Sequence, residues 1–218
     1  MEFVQPAIAA MVGLAAGAAF PGFQHLLYTE PDFRARPAAG GRLLALRAFS
    51  GVALGTCWGF AFRPDFYEAG PATLLAACLA VLVAVSSTDF DRRRIPNKIT
   101  YPATVGVLCF AWAWPDRSVG DILVGTGAGL AAAILLVGLG ALLGGGSMGL
   151  GVGDGKLMIL IGAMVGWPGI VQALFFGILL AGAVAVALLV RSGRHATFSY
   201  GPYLAAGAAL VLLFPGLR

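Results

Sequence analysis

Eight stretches of this chain are almost free of charge: Phe3 to Phe20, Leu43 to Phe62, Pro71 to Thr88, Ile99 to Trp114, Ile122 to Leu143, Leu157 to Trp167, Ile170 to Val190 and Tyr203 to Phe214. They are continuously apolar rather than apolar on one face, so each would have to bury its whole circumference. A bilayer allows that for helices, because an α-helix satisfies its own backbone hydrogen bonds and about 20 residues cross the hydrocarbon core. Only 11% of the 218 residues are charged and mean hydropathy is +0.89, where a soluble domain carries about a quarter charged residues. The expected fold class is therefore all-α, a polytopic integral membrane protein with about eight transmembrane helices and short loops. Little chain is left for a separate soluble domain. The sixth stretch is short, follows a glycine-rich segment and stops at Pro168, so it reads as a compact span.

Lysine and arginine set the orientation. With the first end outside and eight crossings, the inner loops hold Arg34, Arg36, Arg42, Arg47, Arg92, Arg93, Arg94, Lys98, Lys156, Arg191 and Arg194, and the outer segments only Arg63, Arg117 and Arg218. This is the positive-inside pattern, with both chain ends facing away from the cytoplasm. It also accounts for the net charge of +4 without a nucleic-acid partner. Cys57, Cys78 and Cys109 form no CxxC pair and read as small buried hydrophobes. The first apolar stretch lacks a basic leader and a small-residue cleavage site, so it is expected to be a retained span. Glycines within the spans, such as Gly125, Gly127, Gly129 and Gly207, suit close helix packing.

Most of the ten acidic residues fall in loops. Asp89, Asp91 and Asp154 do not; they stand at the predicted cytoplasmic ends of spans, where an ionisable group is costly enough to suggest function. Asp89 ends the run Ser87-Thr88-Asp89, and Pro96 should stop that helix near Arg94 or Ile95. Burial and the negative end of the helix dipole would raise the pKa of Asp89. Asp91, beside Arg92, Arg93 and Arg94, reads as a structural ion pair. Asp154, in Gly151-Val152-Gly153-Asp154-Gly155-Lys156, reads as a helix N-cap whose pKa the dipole should lower. Two carboxylates whose environments differ suit acid–base chemistry, one polarising a carbonyl and one activating water. Asp89 and Asp91 cannot be that pair, because helical residues two apart point to nearly opposite sides. Asp89 with Asp154 is the candidate, Asp154 starting as base and Asp89 as acid. No histidine, zinc or nucleotide-binding pattern competes: His25 and His195 lie in separate loops, and Gly151 to Gly155 lacks the spacing of a phosphate-binding loop.

These residues resemble the type IV prepilin leader peptidases, membrane aspartyl proteases of the GxGD class. The resemblance rests on Asp89 with Ile95-Pro96-Asn97, on Gly151-Val152-Gly153-Asp154 with Lys156, and more weakly on Gly162 to Trp167 and Tyr200-Gly201-Pro202-Tyr203. It implies Asp89 and Asp154 as catalytic aspartates, with Gly151, Gly153, Lys156, Pro96 and Asn97 shaping the site or binding substrate, and no metal. It implies N-terminal helices over residues 1–70 and a six-helix peptidase core over 71–218. It further implies a multi-pass protein of the bacterial inner membrane that cleaves, at the cytoplasmic face, the basic leader from prepilin-like proteins just before their hydrophobic helix. The segment Pro21 to Arg42 has no cysteine, so the zinc-binding loop of many relatives is absent. S-adenosylmethionine would be a cofactor only if N-methylation is retained. Arg92 to Arg94 are expected to meet membrane lipid. The rival reading is a proton-coupled transporter using intramembrane carboxylates.

Overall fold

The continuous apolar stretches become helices, as the absence of water demands. The computed structural model describes residues 4–64, 66–142, 151–192 and 199–217; Glu2, Asp65, Arg194, His195, Arg218 and the part of the glycine-rich segment at 143–150 lie outside them. The helices are α1 (Val4–Ala19), a five-residue α2 (Pro31–Ala35), α3 (Gly40–Ala61), α4 (Ala69–Arg92), α5 (Asn97–Cys109), α6 (Val119–Leu142), α7 (Val152–Val165), α8 (Gly169–Ser192) and α9 (Gly201–Leu213), with short 3₁₀ turns between some of them. No strand occurs among the described residues. Each of the eight apolar stretches coincides with one of these helices other than α2.

Five of them are long and apolar enough to cross a membrane: α1 continuing to Gly22, α3, α4, the Val119–Leu136 part of α6, and Gly169–Arg191 in α8. The other three, α5, α7 and α9, have 13, 14 and 13 residues. At 1.5 Å per residue they are about 20 Å long, short of a hydrocarbon core of about 30 Å. The chain is thus an all-α polytopic membrane protein; among the described residues five helices have the length of a full span and three further apolar helices are shorter. Of the cysteines, Cys78 is buried and Cys57 half-buried, whereas Cys109 is exposed, contrary to the expectation for it.

The chain divides into two compact units, residues 1–116 and 117–218. In the first, α1 packs antiparallel on α3 with almost no side chain between them. A Cβ on Gly17 would lie 2.2 Å from the Ser50 carbonyl oxygen, and one on Gly13 2.8 Å from that of Leu54. The hairpin α3–α4 is also antiparallel: Trp58 donates its indole N–H to the Ala76 carbonyl at 2.9 Å near one end, and Arg42 meets Asp91 at the other. Consequently the N-terminus of α3 and the C-terminus of α4 share one end of this unit with Arg47, Arg92, Arg93, Arg94 and Lys98.

The second unit repeats the device. Gly125 and Gly162 bring α6 and α7 together, a Cβ on Gly162 falling 2.2 Å from the Gly125 carbonyl oxygen. One turn away, Gly129 would meet Met158 at 2.4 Å. Gly207 of α9 does the same against Ala173 of α8 at 2.3 Å. Ser118 and Asp121 cap α6 reciprocally, Ser118 N–H donating to Asp121 Oδ2 at 2.9 Å and Asp121 N–H to Ser118 Oγ at 3.1 Å. Next to this cap Trp167 N–H donates to the Asp121 carbonyl at 2.8 Å, which ties the C-terminal end of α7 to the start of α6. Asp154 and Lys156 therefore stand at the opposite end of this unit from Arg117.

These approaches separate structural from permissive glycines. Gly162→Ala is expected to cost about 1–3 kcal/mol by overpacking, read as a lowered unfolding midpoint in detergent. Gly127→Ala, whose Cβ meets nothing within 4 Å, should be neutral or stabilising by up to about 1 kcal/mol.

Candidate active site

Asp89 lies in the last turn of α4 and is 5% exposed. The turn approaching it is polar for a membrane helix, with Ser86, Ser87 and Thr88 all buried. Their hydroxyls are satisfied: Ser86 donates to the Leu82 carbonyl at 2.8 Å, Thr88 to that of Val85 at 2.9 Å, and Ser87 to Gln24 Oε1 at 2.8 Å. The helix stops at Arg92, earlier than proline alone would dictate. Arg93 turns into the left-handed region (φ 52°, ψ 43°), and its N–H closes on the Asp89 carbonyl at 2.8 Å. A left-handed conformation costs a residue with a Cβ about 1–2 kcal/mol. Pro96, buried, then serves as N-cap of α5, and Asn97 opens that helix on its exposed side.

Asp91 faces away from Asp89 and is occupied. Arg42 Nε stands 2.9 Å from its Oδ1 and Arg92 Nε 3.4 Å from its Oδ2. These are ion pairs by proximity, since neither Oδ1 nor the Arg92 Nε has an aligned hydrogen-bond partner. The Tyr28 hydroxyl, from the first loop, is shared between Asp91 Oδ2 at 3.1 Å and the Thr88 carbonyl at 3.3 Å. Asp91 is thus the ion pair expected of it, but its nearest cation is Arg42 on another helix. Burial first, and then the Asp91 carboxylate, push the Tyr28 phenol far above its ordinary range, so it is a hydrogen-bond donor at any working pH.

The arginines after Asp91 serve the same loop. Arg92 donates to the Arg36 carbonyl at 2.5 Å and lies 5.3 Å over the Phe33 ring; Arg94 is 4.0 Å from Glu30. Lys98 donates to the Leu26 carbonyl at 3.2 Å. The contacts of Gln24, Tyr28, Arg42 and Ser87 were not read from the sequence. The available signal was that an aspartate in a helix's last turn opposes the dipole and needs donors beyond its neighbours.

In the second unit Gly151 is the N-cap of α7 and Asp154 the third residue of the helix, not its cap. Asp154 Oδ2 accepts from the Gly151 N–H at 3.0 Å, the carboxylate half of a capping box to which glycine returns nothing. The pKa of Asp154 is raised, against expectation, because burial outweighs the Gly151 bond. Gly151 itself has φ −69° and ψ 155°, open to any residue, and a Cβ there would meet Asp154 Oδ2 at 3.6 Å, an ordinary contact. Gly153 and Lys156 are half-buried in the first two turns. Asp89, Pro96 and Asn97 are thereby gathered at one end of the first unit, and Gly151, Gly153, Asp154 and Lys156 at one end of the second.

The profile of the type IV leader peptidase family matches residues 75–186, just over half of the chain, with both aspartates inside the match. The chain belongs to the type IV leader peptidase family. A prepilin leader peptidase/N-methyltransferase of Aeromonas hydrophila is 32% identical over 148 residues, covering 66% of this chain and 51% of the relative. One of the same description from Burkholderia pseudomallei strain K96243 is 30% identical over 152 residues, covering 68% and 48%. The chain spans about half the length of these curated relatives. No solved structure matches it significantly. None of these similarities supports a transporter.

Two outcomes follow. Tyr28→Phe removes a donor to a buried carboxylate and should cost about 1.5–3 kcal/mol in unfolding experiments. Asp154 holds its proton more tightly folded than unfolded, so its contribution favours folding most below the ordinary value of 3.8 and is lost as pH rises through the elevated folded pKa. Asp154→Asn should therefore match wild type below about pH 4 and exceed it in unfolding midpoint at neutral pH. A less stable variant at neutral pH would show the Gly151 bond to dominate.

Proposed function

We propose that this chain is an aspartic endopeptidase that removes the basic leader from prepilin-like precursors, using Asp89 and Asp154 as its catalytic pair. Membership of the leader peptidase family, with an aspartate of each motif at a helix end, is the observation that carries the reading. Asp89 also stands at the end of its unit that gathers Arg42, Arg92, Arg93, Arg94 and Lys98, and Asp154 at the Lys156 end of its own, which supports a site at the cytoplasmic face of a bacterial inner membrane. The substrate class follows from what the relatives are called: prepilins, here taken as chains with a basic leader and a hydrophobic N-terminal helix.

The chemistry needs one protonated and one ionised carboxyl. The ionised group takes a proton from water as the water oxygen attacks the scissile carbonyl, and the protonated group donates to the carbonyl oxygen. Collapse of the resulting diol returns a proton to the leaving amine. The raised pKa of Asp154 fits the proton-bearing role better than the role of initial base read from its cap position, and two coupled carboxyls would titrate as a unit. Pro96 and Asn97 set the turn after Asp89, while Gly151, Gly153 and Lys156 frame Asp154. No cofactor is required for cleavage; S-adenosylmethionine would enter only if the chain also methylates the new N-terminus. Arg92 and Arg94 also reach the first loop and Arg93 is exposed in the same turn, and this basic turn as a whole is the part of the chain that would meet lipid headgroups.

Asp89→Asn and Asp154→Asn should each lower cleavage of a prepilin-like peptide by about 10²–10⁴-fold while the protein stays folded in the membrane. Cleavage retained by either variant would overturn the pair. Mass spectrometry of the product in the presence of S-adenosylmethionine reports cleavage and methylation together.

A further inference from the structure

The end of α4 carries more polar machinery than one catalytic aspartate uses. Ser87, Thr88 and Asp91 lie at positions i, i+1 and i+4, on one side of the helix. At 100° per residue, Asp89 is turned about 160° from Asp91. That first side is gripped by the segment between α1 and α3: Gln24 accepts from Ser87, and Tyr28 spans Thr88 and Asp91. Arg42 reaches Asp91 from the first turn of α3. Tyr28 and Gln24 are 1% and 0% exposed, and the Asp91 side chain is 2% exposed, so none of the three is placed to meet a substrate.

We propose that Asp91 and Tyr28 are positioning residues, a clamp that fixes the rotation of the last turn of α4 and thereby the direction in which Asp89 points. The argument is geometric. A helix end is its most easily frayed part, and the turn at Asp89 is closed by the bond from Arg93 N–H to the Asp89 carbonyl, made through a left-handed residue. A rotation of that turn which moved Asp89 off its target would have to break the Tyr28 and Arg42 contacts on the far side. Asp91 is suited to this role because a carboxylate can accept from Tyr28 and hold Arg42 and Arg92 at once. Its place at the helix C-terminus, where the dipole opposes negative charge, makes those contacts necessary rather than incidental. The inference rests on the reading of Asp89 as catalytic.

The test uses the full chain in detergent with a synthetic peptide bearing a basic leader ahead of an apolar segment, and the variants Asp91→Asn, Tyr28→Phe, their combination, and Asp89→Asn. Rates are expressed per folded molecule, scored by monodisperse elution and an unfolding transition. Asp91→Asn and Tyr28→Phe are each expected to lower kcat on the order of ten- to a hundredfold with KM unchanged, since misplacing a reacting group slows chemistry without weakening substrate binding. The double variant should lose little more than the worse single one, because both act through the same turn. If Asp91→Asn fails to fold, Tyr28→Phe, which deletes one oxygen, decides alone. Wild-type kcat in folded Tyr28→Phe and Asp91→Asn, beside an inactive Asp89→Asn, overturns the clamp while leaving the catalytic pair intact. A raised KM at unchanged kcat overturns it too, by making these residues substrate contacts. Activity in Asp89→Asn overturns the clamp and the catalytic reading together.

Discussion

In a bilayer, apolar side chains gain nothing by leaving lipid for one another, so the hydrophobic effect that assembles soluble helices is absent. What holds each unit is backbone approach at glycine. Gly17 against Ser50, Gly125 against Gly162 and Gly207 against Ala173 all leave less space than one methyl group. Helices brought that close gain dispersion contacts along their length and cannot slide, because the next glycine is one or two turns away. The order of helix ends follows: once α1 lies along α3, and α3 along α4, the first loop can only fall on the C-terminus of α4. Polar chemistry at that end depends on apolar packing over the rest of the helices.

At the helix ends two influences on a carboxylate compete, and their magnitudes decide. The dipole is worth about 0.3–1 kcal/mol at an exposed terminus. Burial can move a pKa by several units, each worth about 1.4 kcal/mol. Asp154, at the favourable end of α7 and bonded to the Gly151 N–H, still has its pKa raised because burial is the larger influence. Asp91 occupies the unfavourable end of α4 and is accommodated by two guanidinium groups and a phenol rather than by solvent. Helix direction alone would have assigned Asp154 incorrectly.

Much of the fold was legible because it is local. Charge-free stretches name the helices, and the eight stretches correspond to the eight helices other than α2. Asp89 and Asp154 stood out since an acid at a span's edge demands a reason. Apolarity does not report where a helix starts and stops, so the short lengths of α5, α7 and α9 were not legible in it. Asp154 was read as a cap because the apolar run begins only at Leu157, yet α7 begins at Val152 and makes Asp154 its third residue. The clamp was hidden for a different reason: Tyr28 and Asp91 are 63 positions apart, and no spacing rule joins a tyrosine after an apolar run to an aspartate in another helix. Arg42 was counted toward topology, which left its contact unseen.

In the sequence Asp89-Phe90-Asp91 the second acid is therefore not a spare for the first. Two residues of helix place the carboxylates about 160° apart, so neither can take over the other's contacts without unwinding the turn. Asp91 has its oxygens engaged by Tyr28, Arg42 and Arg92. The arginines that follow Asp91 reinforce the division. Arg92 points to Asp91 and the first loop, Arg94 approaches Glu30, and both reach the loop side of the turn. A second acid on α4 thus holds Arg42 and Arg92 on the first-loop side of the helix.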